Sequence, residues 1–259
     1  MIPAQYIEPM PSPRFPAAAP TEATVGALLR RVGADMFDLP SQCAVCRGWS
    51  ARRLCADCVQ RHAAPRPRCT GCAIGVTPGV ARCGACITAP LPFEQAVAAV
   101  DYDFPWSDLV AALKFNAALD LAGALAALLA DAVRAGTAPR PALVLPVPLG
   151  AQRLAERGMN QAWELARRVA APLRLTADAG VLLRRVETPH LARLPRDERA
   201  RAIRGAFALT PGASTRLRGQ RVALVDDVMT TGATAAEAAR TLLASGAQSV
   251  QLWVLARTP

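Results

Sequence analysis

Two groups of residues in this 259-residue sequence have the types and spacing to do chemistry. The first is Arg221–Thr234, RVALVDDVMTTGAT. Its apolar residues Val222 to Val225 read as a short buried strand that delivers Asp226 and Asp227 at its C-terminal end. Thr230, Thr231, Gly232 and Ala233 then lead into a helix over Thr234 to Ala244, where Thr234 and Glu237 have capping-box spacing and Gly246 fits the stop. Ligands of open α/β sheets bind at the carboxyl edge of the strands. The amides of such a loop and of the first helical turn surround a phosphate, helped by the hydroxyls of Thr230, Thr231 and Thr234. Gly232 lets the backbone approach closely or take a positive φ. Two carboxylates beside that phosphate suit the vicinal hydroxyls of a ribose. The plainer alternative is two aspartates capping a loop that holds no ligand. A Walker B strand is excluded because no GxxxxGK[ST] loop accompanies it. The only lysine, Lys114, lies in ALKFN, which also excludes a receiver domain with its lysine late in the sheet.

The second group is Cys43/Cys46, Cys55/Cys58, Cys69/Cys72 and Cys83/Cys86, four CxxC pairs in 44 residues. Each pair forms a tight knuckle that points both sulfurs at one cation, and two knuckles complete the closed tetrahedral shell of structural zinc. An iron–sulfur cluster or a redox pair is the alternative, but no thioredoxin-like unit surrounds any pair. Short gaps favour pairing first with second and third with fourth, while a crossed arrangement of first with third stays open. His62, four residues after Cys58, reads as a surface residue rather than a ligand. Arg47, Arg52, Arg53, Arg61, Arg66, Arg68 and Arg82 surround the knuckles. They form either a solvated basic face or a surface for single-stranded nucleic acid.

The rest of the chain must position these groups. Apolar residues make up 52% and charged residues 19%, which excludes a chain disordered throughout. The formal charge is +10, and all but one of the 30 basic residues are arginine, the side chain suited to a bidentate grip on phosphate. No apolar stretch is long enough for a membrane helix and no signal peptide is evident, so a soluble cytoplasmic protein is expected, a compartment in which paired cysteines bind metal. Residues 1–24 read as a flexible proline-rich tail, and 25–40 as a short helix with Val25, Leu28, Leu29, Val32 and Met36 at helical spacing. The cysteine module spans 41–88. From 93 to 259 strands and helices alternate: strands at Ala96–Tyr102, Ala142–Val147, Val222–Val225 and Val250–Leu255, helices at Asp108–Phe115, Leu119–Arg134 and Asn160–Ala171. Such alternation predicts an α/β fold with a mostly parallel sheet flanked by helices. Trp106, Trp163, Phe115 and Phe207 are expected in its core; Trp49 and Trp253 are undecided, and His190 reads as a loop residue.

In order along the chain, the knuckles are followed by LKFN (Leu113–Asn116), PVPL (Pro146–Leu149), RLAERGMNQA (Arg153–Ala162), TPHLARLPRDERARAIRGAF (Thr188–Phe207) and the RVALVDDVMTTGAT segment. That last segment resembles the phosphoribosyl-pyrophosphate (PRPP) signature of type I phosphoribosyltransferases. The whole order, over roughly residues 40 to 257, resembles the ComF or GntX-like family of competence-associated phosphoribosyltransferase homologues, with an N-terminal double zinc ribbon. The resemblance implies that Asp226 and Asp227 hold the ribose hydroxyls, directly or through Mg²⁺ and water. It implies that Thr230, Thr231, Gly232, Ala233 and Thr234 hold the 5′-phosphate. Pro146 and Val147 would lie in the pyrophosphate loop, and Arg153 and Arg157 on a mobile lid facing the pyrophosphate. Lys114 stands where relatives keep a lysine and reads as either a ligand contact or a solvated residue. Leu191 and Ala202 replace the glutamine and asparagine common in relatives, which weakens the case for a precise base pocket.

The function expected from this resemblance is Mg²⁺-dependent transfer of a 5-phosphoribosyl group from PRPP to an unidentified acceptor, linked to DNA uptake. The alternatives are a PRPP- or nucleotide-sensing accessory that binds single-stranded DNA, and a zinc-ribbon adaptor to a helicase-like competence protein. No membrane association is expected.

Overall fold

The computed structural model describes residues 41–186 and 202–259. The expected tail and first helix, His190 and Leu191 lie outside the described residues. Ser41 to Pro259 forms one compact unit. It begins with β1 (Ser41–Gln42) and β2 (Trp49–Ser50), an antiparallel pair beside the first two knuckles, followed by α1 (Ala56–His62) and α2 (Gly84–Thr88). Both short helices start directly after a cysteine, Cys55 and Cys83 respectively.

The alternating segment follows as β3 (Gln95–Asp101), α3 (Trp106–Phe115), α4 (Asp120–Arg134), β4 (Leu143–Pro146), α5 (Ala151–Arg157), α6 (Gln161–Ala170) and β5 (Thr176–Ala177). After these come β6 (Leu182–Arg184), β7 (Phe207–Leu209), α7 (Ala213–Leu217), β8 (Arg221–Met229), α8 (Ala233–Ala244) and β9 (Ser249–Arg257). Five strands form a wholly parallel sheet in the order β3-β9-β8-β4-β5, and β6 and β7 form a small antiparallel pair. The α/β architecture expected from the sequence is present, with two four-cysteine clusters ahead of it.

Parallel strands covered on both faces read as continuous apolar runs, and β8 and β9 sit at the centre for that reason. One face packs against α8, α7 and the β6–β7 pair; its core also takes in Cys69, Cys72 and Cys86. The other packs against α3, α4 and α6, and its core takes in Leu54, with Ala44, Val45 and Val59 of the first cysteine segment against it. The two cysteine clusters therefore brace opposite faces of one sheet.

Several expectations need correction. β8 does not stop at Val225. Its pairing with β9 runs to Met229↔Arg257, so both aspartates are strand residues. The N-cap of α8 is Gly232 at φ +78°, not Thr234, and Glu237 accepts a hydrogen bond from the Gly205 amide (2.7 Å) instead of closing a capping box. Phe115 is 71% exposed because it ends α3 beyond the last buried turn, whereas Trp106 and Phe207 are buried and Trp163 is half-buried. Trp253 is buried in β9 and Trp49 is 75% exposed. Gly246 takes the left-handed stop after α8 as expected (φ +99°).

Candidate functional site

Successive strand side chains point to opposite faces, and this separates the two aspartates. Asp226 lines a cavity of about 320 Å³ at the carboxyl end of β8, together with Val228, Met229, Thr230, Thr231, Gly232, Ala233, Thr234, Ala235 and Val254. Asp227 turns to the other face, is 4% exposed, and meets Lys114 Nζ from the last turn of α3 at 3.1 Å. Each carboxylate also stiffens its own strand: Asp226 Oδ1 accepts from the Asp227 amide (2.9 Å), and Asp227 Oδ1 from the Val228 amide (2.6 Å). Burial and the Asp227 charge push Asp226 up to about 7, against the pull of Lys114 and Arg184. A carboxylate held this way favours an arriving cation or a hydroxyl that can share its proton.

The other wall of the cavity is the loop and the first turn of α8. Apart from Ala233, whose amide reaches Thr231 Oγ1 (3.4 Å), the amides of Thr231, Gly232, Thr234 and Ala235 have no acceptor among the described residues. They are the open donors of a helix N-terminus, where the macrodipole also favours an anion. Gly232 is favoured here by its backbone, and its missing side chain leaves room for the Met229 tip. The glycine's φ is +78°, and a Cβ would sit 2.5 Å from Met229 Cε.

β4 runs beside β8, with Pro146 opposite Val225. Neither Pro146 nor Val147 has an amide to offer an anion, since proline lacks one and Val147 donates its own to Val225 O (2.9 Å). They set the turn, and in it the Leu149 and Gly150 amides have no acceptor among the described residues. α5 follows with no buried residue and ends at Gly158 in the left-handed region. Arg153 is half-buried on it, while Arg157 lays its guanidinium 5.2 Å from the centroid of the exposed Phe115 ring. Asn160 fastens the far end, donating to Val147 O (3.2 Å) and accepting from the Ala162 amide (3.0 Å). Arg184 on β6 was not foreseen. In LLRRV nothing in the pattern separates it from the exposed Arg185, and only the fold brings its charge toward Asp226.

The thiols gather as Cys43, Cys46, Cys55, Cys58 and as Cys69, Cys72, Cys83, Cys86, with all sulfurs of a group within 4.8 Å of one another. This is the sequential pairing; His62 is in neither group. Cys46 Sγ lies 3.8 Å from Cys55 Sγ, and Cys72 Sγ 3.7 Å from Cys83 Sγ. A tetrahedron with zinc–sulfur bonds of about 2.3 Å has edges of about 3.8 Å, so the residues fit that ion. The Cys55 and Cys83 amides donate to Cys43 Sγ (3.4 Å) and Cys69 Sγ (3.2 Å). Burial opposes ionisation at both, yet these and neighbouring amides win, pulling Cys43 down to about 6 and Cys69 to about 7. Burial and the facing sulfurs push Cys58 up to about 12. The amides thus favour the thiolate at Cys43 and Cys69, and a bound cation would favour it at the sulfurs around them.

The DNA utilization protein YhgH of Salmonella typhi is 35% identical to this chain over 235 residues, 86% of this chain and 100% of the relative. Competence protein F of Haemophilus influenzae is 31% identical over 224 residues, 83% of this chain and 96% of the relative. The chain belongs to the competence protein F (ComF) family. No family model matches it. Among solved structures, an adenine phosphoribosyltransferase from Leishmania donovani is 19% identical, covering 60% of this chain and 68% of that one with a TM-score of 0.35. The glutamine PRPP amidotransferase of B. subtilis is 18% identical, covering 51% and 25%, with a TM-score of 0.34. Scores this low carry no argument: the family rests on the sequence relatives, and the parallel α/β sheet on this chain's own strand order and register. No helix among the described residues is long and apolar enough to cross a membrane.

Proposed function

We propose that the chain seats the 5-phosphoribosyl group of PRPP at the end of β8 and transfers it to an acceptor. One observation carries this: Asp226 and the open amides of the Thr230–Ala235 turn line the same cavity. In this reading the turn holds the 5′-phosphate and Asp226 takes the ribose hydroxyls. Asp227 acts from behind, held by Lys114, rather than gripping the sugar beside its neighbour. Leu149 and Gly150 amides and Arg153 and Arg157 of α5 face the pyrophosphate, and α5 closes over it to exclude water. When bound, Mg²⁺ supplies positive charge to the leaving pyrophosphate. Displacement at the anomeric carbon proceeds with inversion. Each cysteine cluster holds one structural zinc, consistent with a reducing cytoplasmic setting.

Calorimetry with PRPP and Mg²⁺ tests the seat. Binding by the wild-type protein, lost in Asp226→Asn, is the expected result; no binding by zinc-loaded wild type overturns it. Pyrophosphate release with pooled nucleobases and amines then separates a transferase from a PRPP sensor.

A second reading attaches to the first cluster. Trp49 is 75% exposed, and Arg47 and Arg52, two residues before it and three after, are exposed as well. This suits stacking of single-stranded DNA, in keeping with the DNA utilization and competence names of the relatives. Trp49→Ala should weaken oligonucleotide binding by about 1–3 kcal/mol in a fluorescence titration, and unchanged affinity removes this reading.

A further inference from the structure

We infer that Arg257 is a positioning residue through which the second cysteine cluster, and not the first, sets the geometry of the phosphate-binding turn; this rests on the sugar-phosphate reading of that turn. Arg257 ends β9 and is 8% exposed, yet no carboxylate pairs with it among the described residues. Its guanidinium is spent on carbonyls instead. Nε donates to Cys72 O (2.8 Å), and Nη1 to Met229 O (3.2 Å) and to Thr258 O. Cys72 belongs to the second cluster, and Met229 is the last residue before the turn. One rigid fork therefore spans the metal-binding knuckle and the strand end that launches the turn.

A second contact makes the same link. The close approach of Gly232 is to Met229, and the position of its absent Cβ is also 3.6 Å from Leu91 Cδ1, five residues after Cys86. The turn thus lies over the Met229 and Leu91 side chains; Arg257 holds the Met229 main chain, and the chain leaving the cluster carries Leu91.

Charge gives this arrangement its sense. A buried guanidinium without a counter-ion is costly. Four thiolates around one divalent cation carry a net charge of −2, and Arg257 lies against that site. Metal in the second cluster stabilises Arg257 where it stands, and Arg257 in turn holds Met229. Among the described residues the first cluster has no such path. Its ties run to the other face, through Trp106 Nε1 to His62 O (2.9 Å) and Arg53 to Asp120 (2.7 Å).

The test compares Arg257→Met, Arg257→Lys, Cys83→Ser in the second cluster and Cys46→Ser in the first. Ribose 5-phosphate is the calorimetric probe, and amide hydrogen exchange is followed separately for residues 230–235 and for β9. Arg257→Met and Cys83→Ser should weaken ribose 5-phosphate by about ten- to hundred-fold, the worth of one or two charge-assisted hydrogen bonds. They should speed exchange in the turn more than in β9. Arg257→Lys, which keeps the charge and loses the fork, should fall between them and the wild type, and it carries the test if Arg257→Met does not fold. Cys46→Ser should bind as the wild type does. Unchanged affinity in the Arg257 variants, an equal loss in Cys46→Ser, or exchange that rises as much in β9 as in the turn overturns the inference. If the wild type itself fails to bind, the sugar-phosphate reading falls, and the exchange comparison still decides the link between cluster and turn.

Discussion

Asp226 and Asp227 are neighbours in sequence and opposites in environment. Asp227 is paired with Lys114 and serves the strand, while Asp226 faces the cavity with its charge opposed by burial and by Asp227. A disfavoured charge on the carboxyl that faces the cavity is what the proposed sugar-phosphate seat would use. The pH dependence has a definite sign. The folded-state value of Asp226, about 7, lies above its ordinary 3.8, so its contribution to stability is fully present below pH 3.8 and is lost as pH rises through 7. Asp226→Asn removes that loss. Its melting temperature relative to wild type should climb between pH 4 and pH 7 and then level off. A difference that is flat across that range, measured by thermal melts in matched buffers, would show that the carboxyl ionises normally.

At the scale of elements, the strand–turn–helix unit of β8 and α8 was legible because its signals are local: an apolar run, paired acids, small residues and a glycine. The spacing of the cysteine pairs was legible for the same reason. The extension of β8 past Val225 was hidden, since it depends on β9 pairing as far as Arg257. The α8 cap was misread because a main-chain requirement at Gly232 outranked the Thr234–Glu237 pattern, and Glu237 had a distant amide to bind. Arg184 and Arg257 could not be singled out, because an arginine bonding carbonyls or facing a remote carboxyl leaves no periodic trace. The glycine yields the prediction that belongs here. Gly232→Ala places a methyl in the left-handed region against Met229 Cε, at a backbone cost of about 1–2 kcal/mol. Met229 can swing away, so the fold should survive with a modestly lower urea midpoint, while ribose 5-phosphate affinity drops because the turn's amides no longer converge. Wild-type affinity in this variant would mean that the turn tolerates a different path, and that its amides are not the anion's ligands.

The whole molecule raises the question of whether the cysteine segment is an appendage or part of the core. Ser41–Pro259 is a single compact unit: the second cluster's Cys69, Cys72 and Cys86 belong to the core of one face of the sheet, and Leu54, Ala44, Val45 and Val59 of the first cysteine segment pack into the core of the other. Polar ties reinforce this. Ala96 of the edge strand donates to Thr70 O (2.7 Å), and Arg66 and Arg68 both reach Asp101 (2.7 and 2.8 Å). Loss of metal from either cluster empties a space shaped for four sulfurs around one cation, and that disturbance lies against the core rather than beyond a linker. Chelation should therefore lower the stability of the sheet itself. With a high-affinity zinc chelator present, far-ultraviolet circular dichroism and the fluorescence of buried Trp106 and Trp253 should lose signal in one shared transition at a lower temperature than in the zinc-loaded protein. An independent zinc ribbon would instead melt first and leave the tryptophan transition where it was, and that result would return the cysteine segment to the status of a separate module.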